Sequence, residues 1–298
     1  MSVASRPTSQ ADAPSVRFFV TVVLYRMRLD EAPTLCSLRR AAGALVDSTV
    51  LVWDNGPEAQ DIGALSGSNS LARGSLLYVH APHNAGLPEV YGTAIERSAG
   101  HDVLVWLDQD TEVPTDYFDA VRQAVAEQPD CAVFLPLVES HGRIVSPGDY
   151  RWVKGRHWQR PRTGRVSSRG LTAVNSGMAV RRSYLTEEFK GYDPHLRFYG
   201  VDTAFMLDHA RRRPALVVLD CRLGHASALL DRDAPAADRV RRHAALFEAW
   251  VTLHRSNPVR RAAVAAYVLY VGLREALRSR DVRFAAVAWS AARGRHGV

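Results

Sequence analysis

Cysteine is scarce: the chain has three, Cys36, Cys131 and Cys221, and they lie far apart. An odd number without any C-x-x-C spacing argues against a disulfide framework. The three read as small buried hydrophobes in a reducing compartment. Long apolar runs are lacking too. The longest, Ala262 to Leu273, is bracketed by Arg261 and Arg274. It falls short of the roughly 20 residues that a membrane-spanning helix needs. The first fourteen residues, rich in Ser, Ala and Pro, contain no apolar h-region. They read as a disordered segment and not as a signal peptide. Internal repeats are absent. Together these absences predict a cytoplasmic protein, with peripheral attachment to the inner face of a membrane left open.

What is present is an ordinary globular composition with an uneven charge. Hydrophobic residues make up 47% of the 298 positions, enough for a sizeable core without disulfides or structural metals. The net charge is +7. The excess of arginine gathers after Arg143, above all in Arg211-Arg212-Arg213, Arg239-Arg241-Arg242 and the stretch Arg255 to Arg295. Such a balance suits either an anionic partner or a solvated basic surface.

Apolar runs and helical patterns alternate along the first half. Arg17 to Tyr25 is a continuous β-branched and aromatic run, as in a strand buried on both faces. A helix with Pro33 in its first turn follows. Further strands are expected at Thr49 to Trp53, Ser75 to His80, Val103 to Leu107 and Ala132 to Val138, with helices before Gly100 and over Thr115 to Gln128. This alternation predicts a mostly parallel, doubly wound α/β sheet flanked by helices. From Glu139 to Leu171 the pattern loosens, and a loop excursion is expected. Order returns at Leu171 to Val180, Val201 to Arg213 and Leu216 to Leu219. After Asp231 the sequence is helical. The expected organisation is a disordered 1–15, a catalytic domain over 16–230 and a helical C-terminal extension over 231–298.

The residues suited to chemistry sit where strands end. Asp108-Gln109-Asp110 closes an apolar run, beside the crevice where open α/β sheets bind ligands. Hard divalent cations take carboxylate oxygens together with substrate phosphates, so this pair fits a metal-bound diphosphate; a helix cap followed by a turn fits it as well. Asp54-Asn55-Gly56 either accepts hydrogen bonds from a base or ribose or forms an Asx turn. Asn84 and Gly86 open a helix, where an anion or a plain cap is suited. Asp202, amid aromatic residues at a helix start, reads as a general base or as an N-cap. His225 reads as a metal ligand or a structural histidine. Asn175-Ser176-Gly177 reads as a sugar contact or as a bulge or turn.

In this order the motifs resemble the family 2 glycosyltransferases of the GT-A fold, and most of all their bacterial rhamnosyltransferase-type members. The resemblance covers roughly Val16 to Ala226. It rests on Val22-Val23-Leu24-Tyr25, Val52-Trp53-Asp54-Asn55-Gly56, His83-Asn84-Ala85-Gly86-Leu87 and Leu107-Asp108-Gln109-Asp110. Asn175-Ser176-Gly177, Val201-Asp202 and Gly224-His225 complete the series. It implies that Tyr25, Asp54 and Asn55 line a nucleoside pocket and that Asn84 and Gly86 approach the nucleotide. Asp108 would reach the ribose or sugar, and Asn175, Ser176 and Gly177 would floor the donor-sugar and acceptor pocket. Asp110 and His225 would hold Mg²⁺ or Mn²⁺, and Asp202 would be the catalytic base. One departure stands out. Val201-Asp202-Thr203-Ala204 carries a single carboxylate where many relatives have two, with Asp193 and Asp208 as nearby substitutes.

The expected activity is therefore an inverting, metal-dependent transfer of a hexose such as rhamnose. The donor would be a nucleoside-diphosphate sugar and the acceptor a glycan or a lipid-linked saccharide, as in bacterial cell-envelope polysaccharide synthesis. Ala262 to Leu277 and its flanking arginines suit an anionic membrane surface. A sugar nucleotidyltransferase is the alternative, but Tyr25 to Ala32 contains no glycine to wrap a triphosphate. A non-catalytic nucleic-acid-binding protein would explain the charge. It would not explain carboxylates at two strand ends, so nucleic acid is not an expected partner.

Overall fold

The computed structural model describes residues 16–65, 71, 74–225 and 234–294. The expected disorder of 1–15 and much of the polar loop after Leu65 lie outside the described residues.

The first half alternates as its sequence predicts: β1 (Phe18–Leu24), α1 (Pro33–Arg40), β2 (Thr49–Asp54), β3 (Ser75–His80), α2 (Leu87–Arg97), β4 (Val103–Asp108), β5 (Thr111–Glu112), α3 (Tyr117–Glu127) and β6 (Val133–Ser140). A region of short strands follows: β7 (Arg143–Ser146), β8 (Gly148–Arg151), β9 (Lys154–His157), β10 (Gly164–Ser167), β11 (Leu171–Thr172) and β12 (Met178–Arg181). The chain closes with α4 (Arg182–Glu187), α5 (Val201–Arg212), β13 (Ala215–His225), α6 (Ala236–Leu253), α7 (Pro258–Ser279) and α8 (Arg283–Ala292).

The main sheet has the strand order β10-β13-β6-β12-β4-β1-β2-β3. Strands β1 to β4 are mutually parallel where they pair, and β6 runs parallel to β13. β12 is antiparallel between β4 and β6, and β10 is an antiparallel edge on β13. Side chains alternate between two cores. Phe18, Val20, Val22 and Leu24 of β1 pack with Leu35 and Leu38 of α1 and Phe118 and Val121 of α3. Phe19, Leu51, Trp53, Leu104 and Trp106 face the other way, against Tyr91 of α2, Tyr184 of α4 and Phe205 of α5. Two covered faces are why these strands are apolar without interruption. Burying each large side chain contributes about 1.5–3 kcal/mol.

Glu139 to Leu171 is not the expected loop. It contains β7 to β10, and β8 and β9 form a second antiparallel sheet with β11. These strands are at most four residues long and β9 is exposed throughout, so no apolar alternation marks them. The helical end is confirmed, as three helices. Phe247 and Val251 of α6 pack with Val264 and Val268 of α7 and Ala288 of α8. Ala249 and Leu253 of α6 also lie over Gly200, at the start of α5.

Candidate active site

β4 ends at Asp108, and the next two residues turn the chain into β5. Thr34 of α1 holds that turn. Its hydroxyl accepts from the Thr111 amide at 2.9 Å and lies 2.8 Å from the Thr111 carbonyl, and its own amide donates to Gln109 at 3.3 Å. β5 then pairs with the far end of β13, Thr111 opposite His225 and Glu112 opposite Gly224. β13 reaches there because it runs for 11 residues, with a register irregularity between Val218 and Arg222. Extension of one strand and return of another thus bring His225 to the Asp-x-Asp turn.

One side-chain ligand atom from each of Asp108, Asp110 and His225 lies within 4.8 Å of the other two. His225 Nδ1 is 3.3 Å from Asp110 Oδ1, yet it is buried and has no partner in hydrogen-bonding geometry. Burial raises the pKa of Asp110. The neighbouring His225 opposes that shift and the charge of Asp108 adds to it. Two carboxylates and an orphaned imidazole nitrogen around one point fit a divalent cation, which would satisfy all three at once. Asp108 is oriented from behind by the hydroxyl of Ser176, which donates to its Oδ2.

Asp202 is the second residue of α5. Gly200 precedes the helix at φ 80°, and a Cβ there would stand 3.2 Å from the Cβ of Ala249. The Thr203 amide donates to Asp202 Oδ1 at 2.6 Å. Burial raises the Asp202 pKa to about 6 against that hydrogen bond, and the charge of Asp108 pushes in the same direction as burial. The charge of Asp108 therefore acts on both Asp110 and Asp202. Tyr91, fully buried, feels both Asp108 and Asp202, though burial is the main cause of its raised pKa. The two substitutes for Asp202 are otherwise engaged. Asp193 pairs with Arg255 and His195, and Asp208 accepts two bonds from Arg212. Asp202 has no ion pair among the described residues.

The loops that follow β1 and β2 border a cavity of about 510 Å³, and the expected nucleoside residues Tyr25, Asp54 and Asn55 stand next to its lining without being part of it. Arg26, Arg28, Gly56 and Gln60 line it. Tyr25 is 42% exposed beside Arg26, and its amide donates to Gln109 at 2.7 Å. Asp54 is buried. Its Oδ1 accepts from the Gly56 amide at 2.8 Å, an Asx turn, and its Oδ2 accepts from Tyr78 at 2.8 Å and Gln60 at 3.0 Å. Asn55 is buried as well, donating to Ala85 and accepting from Trp53. Both side chains thus shape the cavity from behind its wall. Asn84 adopts φ 54°, and its carbonyl accepts from Arg197 at 2.8 Å. A Cβ on Gly86 would stand 3.2 Å from the Arg197 carbonyl, which accepts the Leu87 amide. The glycine therefore admits the protein's own chain. Asn175 is buried with Oδ1 unpartnered, and Gly177 lies against Pro136 and Leu223.

No protein-family model and no curated protein matches the sequence. Solved structures do match the fold. TarS of S. aureus superposes with a TM-score of 0.53 at 14% identity, over 92% of this chain and 55% of that one. GalNAc-T7, solved with UDP, GalNAc and Mn²⁺, gives 0.54 at 12% identity, over 82% and 48%. The mannosyltransferase PcManGT of Pyrobaculum calidifontis, solved with GDP-Man and Mn²⁺, gives 0.51 at 19% identity, over 97% and 90%. This chain is a GT-A fold. It spans only about half the length of the first two structures.

Some residues that build this candidate site were not singled out from sequence. Thr34 clamps the Asp-x-Asp turn and Gln60 joins Asp54 to the loop after β1, where its amide donates to the Met27 carbonyl at 3.0 Å. Each is a lone polar residue in a helix or loop, and neither carries a spacing signal.

Proposed function

We propose that the protein is an inverting, metal-dependent glycosyltransferase that uses a nucleoside-diphosphate sugar. The observation that carries this reading is the convergence of Asp108, Asp110 and His225, with the unpaired Asp202 near enough to feel the charge of Asp108. The structures with the same fold include complexes with UDP, UDP-GlcNAc and GDP-Man, which supports the donor class. A rhamnosyl or related hexosyl donor follows from the sequence resemblance.

The nucleoside would occupy the cavity between the loops after β1 and β2, against Arg26 and Gln60, with Tyr25 beside it and Asp54 and Asn55 shaping it from behind. Asp108, Asp110 and His225 would hold Mg²⁺ or Mn²⁺, which supplies charge stabilisation to the departing diphosphate. Asp202, with a pKa of about 6, is ionised at neutral pH and is more basic than an ordinary aspartate. Its carboxylate takes the proton of the acceptor hydroxyl as that oxygen bonds to the anomeric carbon. The bond from that carbon to the diphosphate oxygen breaks on the opposite face. One displacement inverts the centre, whereas a route through a covalent intermediate would retain it.

The acceptor is a glycan or lipid-linked saccharide, met at the inner face of the membrane. No helix among the described residues is long and apolar enough to cross a bilayer. On α7, however, Val259, Tyr270, Leu273 and Leu277 are exposed while Val264, Val268 and Val271 face the core. Arg260, Arg274 and Arg278 flank that outer stripe, an arrangement suited to an anionic surface.

Calorimetry of UDP and GDP with Mn²⁺, with and without chelator, tests the assignment. Binding should need the ion and vanish in Asp110→Ala. Equal affinity with and without chelator would overturn the metal role.

A further inference from the structure

A second cavity, of about 200 Å³, opens beside Asp202 on the side formed by the small β11-β8-β9 sheet. Asp202 and Thr203 form one wall, and Ser146, Arg156, His157 and Thr172 are among the residues facing them. The packing of that sheet makes the wall. A Cβ on Gly148 would stand 2.5 Å from the Arg156 carbonyl, and one on Gly155 would stand 2.9 Å from Thr172 Cγ2. The two glycines let β8, β9 and β11 close up and hold Arg156 and His157 over the start of α5. His157 Nδ1 is 2.8 Å from the Val145 carbonyl. A carbonyl only accepts, so Nδ1 carries the hydrogen and Nε2 is the nitrogen left for a ligand.

The stretch of chain that supplies this wall is one-sided in charge. Between His141 and Leu171 there are eight arginines and lysines and one acidic residue, Asp149. Asp149 pairs with Arg162, and Arg165 pairs with Asp130. Arg143, Arg151, Arg156, Arg160 and Arg169 are exposed and form no ion pair among the described residues. Arg156 reaches the cavity that also holds the candidate base. A planar guanidinium without a carboxylate partner, on a residue that lines a pocket, is suited to bidentate binding of a phosphate.

We propose that this cavity is the acceptor subsite and that it takes an acceptor saccharide bearing a phosphate, gripped by Arg156 with His157 beside it. The inference rests on the glycosyltransferase reading for the role of Asp202. The phosphate would anchor the acceptor so that a sugar hydroxyl lies at the carboxylate. The phosphate belongs either to a free sugar phosphate or to a lipid phosphate. The chemistry at Arg156 is the same in both.

The test titrates the whole chain with octyl phosphate and with inorganic phosphate, both with and without saturating UDP or GDP and Mg²⁺. Arg156→Ala, Arg156→Lys and Arg211→Ala are compared with the unchanged protein. Arg211 lies near the opposite end of α5, about 14 Å along the helix axis from Asp202, and controls for net charge. Saturable phosphate binding is expected to persist with nucleotide bound. It should weaken roughly tenfold or more in Arg156→Ala, less in Arg156→Lys and not in Arg211→Ala. Tighter binding of octyl phosphate than of inorganic phosphate indicates a lipid source, and equal binding a free phosphate. No saturable binding, equal affinity in Arg156→Ala, or displacement of phosphate by the nucleotide overturns the proposal. Nucleotide binding retained in those same samples leaves the transferase reading standing. Arg156-dependent phosphate binding without nucleotide binding supports the subsite and removes that reading instead.

Discussion

Asp202 carries its charge without a cation beside it, and this separates it from Asp193 and Asp208 on the same stretch of chain. Two outcomes follow at this scale. The kcat/KM profile should fall as pH drops through about 6, because the base must be ionised to accept a proton. A pH–rate profile flat from pH 5 to pH 8 would remove Asp202 from that role. Stability should move the opposite way. A carboxyl whose pKa is higher folded than unfolded binds its proton more tightly when folded, so stability declines as pH rises from about 4 to about 6. Asp202→Asn removes that burden and keeps an oxygen for the Thr203 amide. It should therefore abolish turnover, retain nucleotide binding and gain on the order of 2 kcal/mol of stability at pH 8. The gain should vanish below pH 4, as thermal melts at the two pH values would show.

The elements decide between readings that single residues leave open. Asn175-Ser176-Gly177 reads from sequence as a sugar contact or as a bulge or turn. In the structure it is the turn into β12, with three anchors: Ser176 donates to Asp108, the Gly177 amide donates to Trp106 at 2.7 Å, and Tyr117 donates to the Gly177 carbonyl at 2.7 Å. Gly177 has φ 78°, and a Cβ there would stand 2.4 Å from Leu223 Cδ2 and 2.8 Å from Pro136 Cγ. Backbone strain and overpacking then add, so Gly177→Ala should cost about 2–4 kcal/mol in denaturant unfolding and weaken metal-dependent donor binding through Ser176. An unchanged midpoint would contradict this account of the turn. β7 to β10 show the reverse case. Their pairing is settled by partners on other strands, so their sequences carry no period to read.

Across the whole molecule, the basic excess is not one feature. Part of it lies in the stretch after Glu139, from which Arg156 lines the cavity at Asp202, and part flanks the outer stripe of α7. Leu273 and Leu277 are 55% and 72% exposed, so replacing both with Asp leaves the core of α6, α7 and α8 intact. The double variant should lose sedimentation with anionic vesicles and keep its melting temperature. Unchanged protein that fails to pellet in a salt-sensitive way would reject the membrane contact.

The sequence by itself determined where the buried strands of the first half begin and end, and so which carboxylates stand at the carboxyl edge of the sheet. Hydrophobic period and turn chemistry are local properties, legible within a few residues: β1, β2 and β4 end where apolar runs give way to Tyr25, Asn55 and Gln109. The resemblance added an order of motifs and their implied roles. Only the tertiary structure decided that β13 runs long enough to set His225 against Asp110, that Asp193 and Asp208 are engaged in ion pairs while Asp202 is not, and that the stretch after Glu139 brings Arg156 and His157 to a cavity beside Asp202. Those outcomes depend on strand order and register between distant segments, and no local window of sequence carries that information.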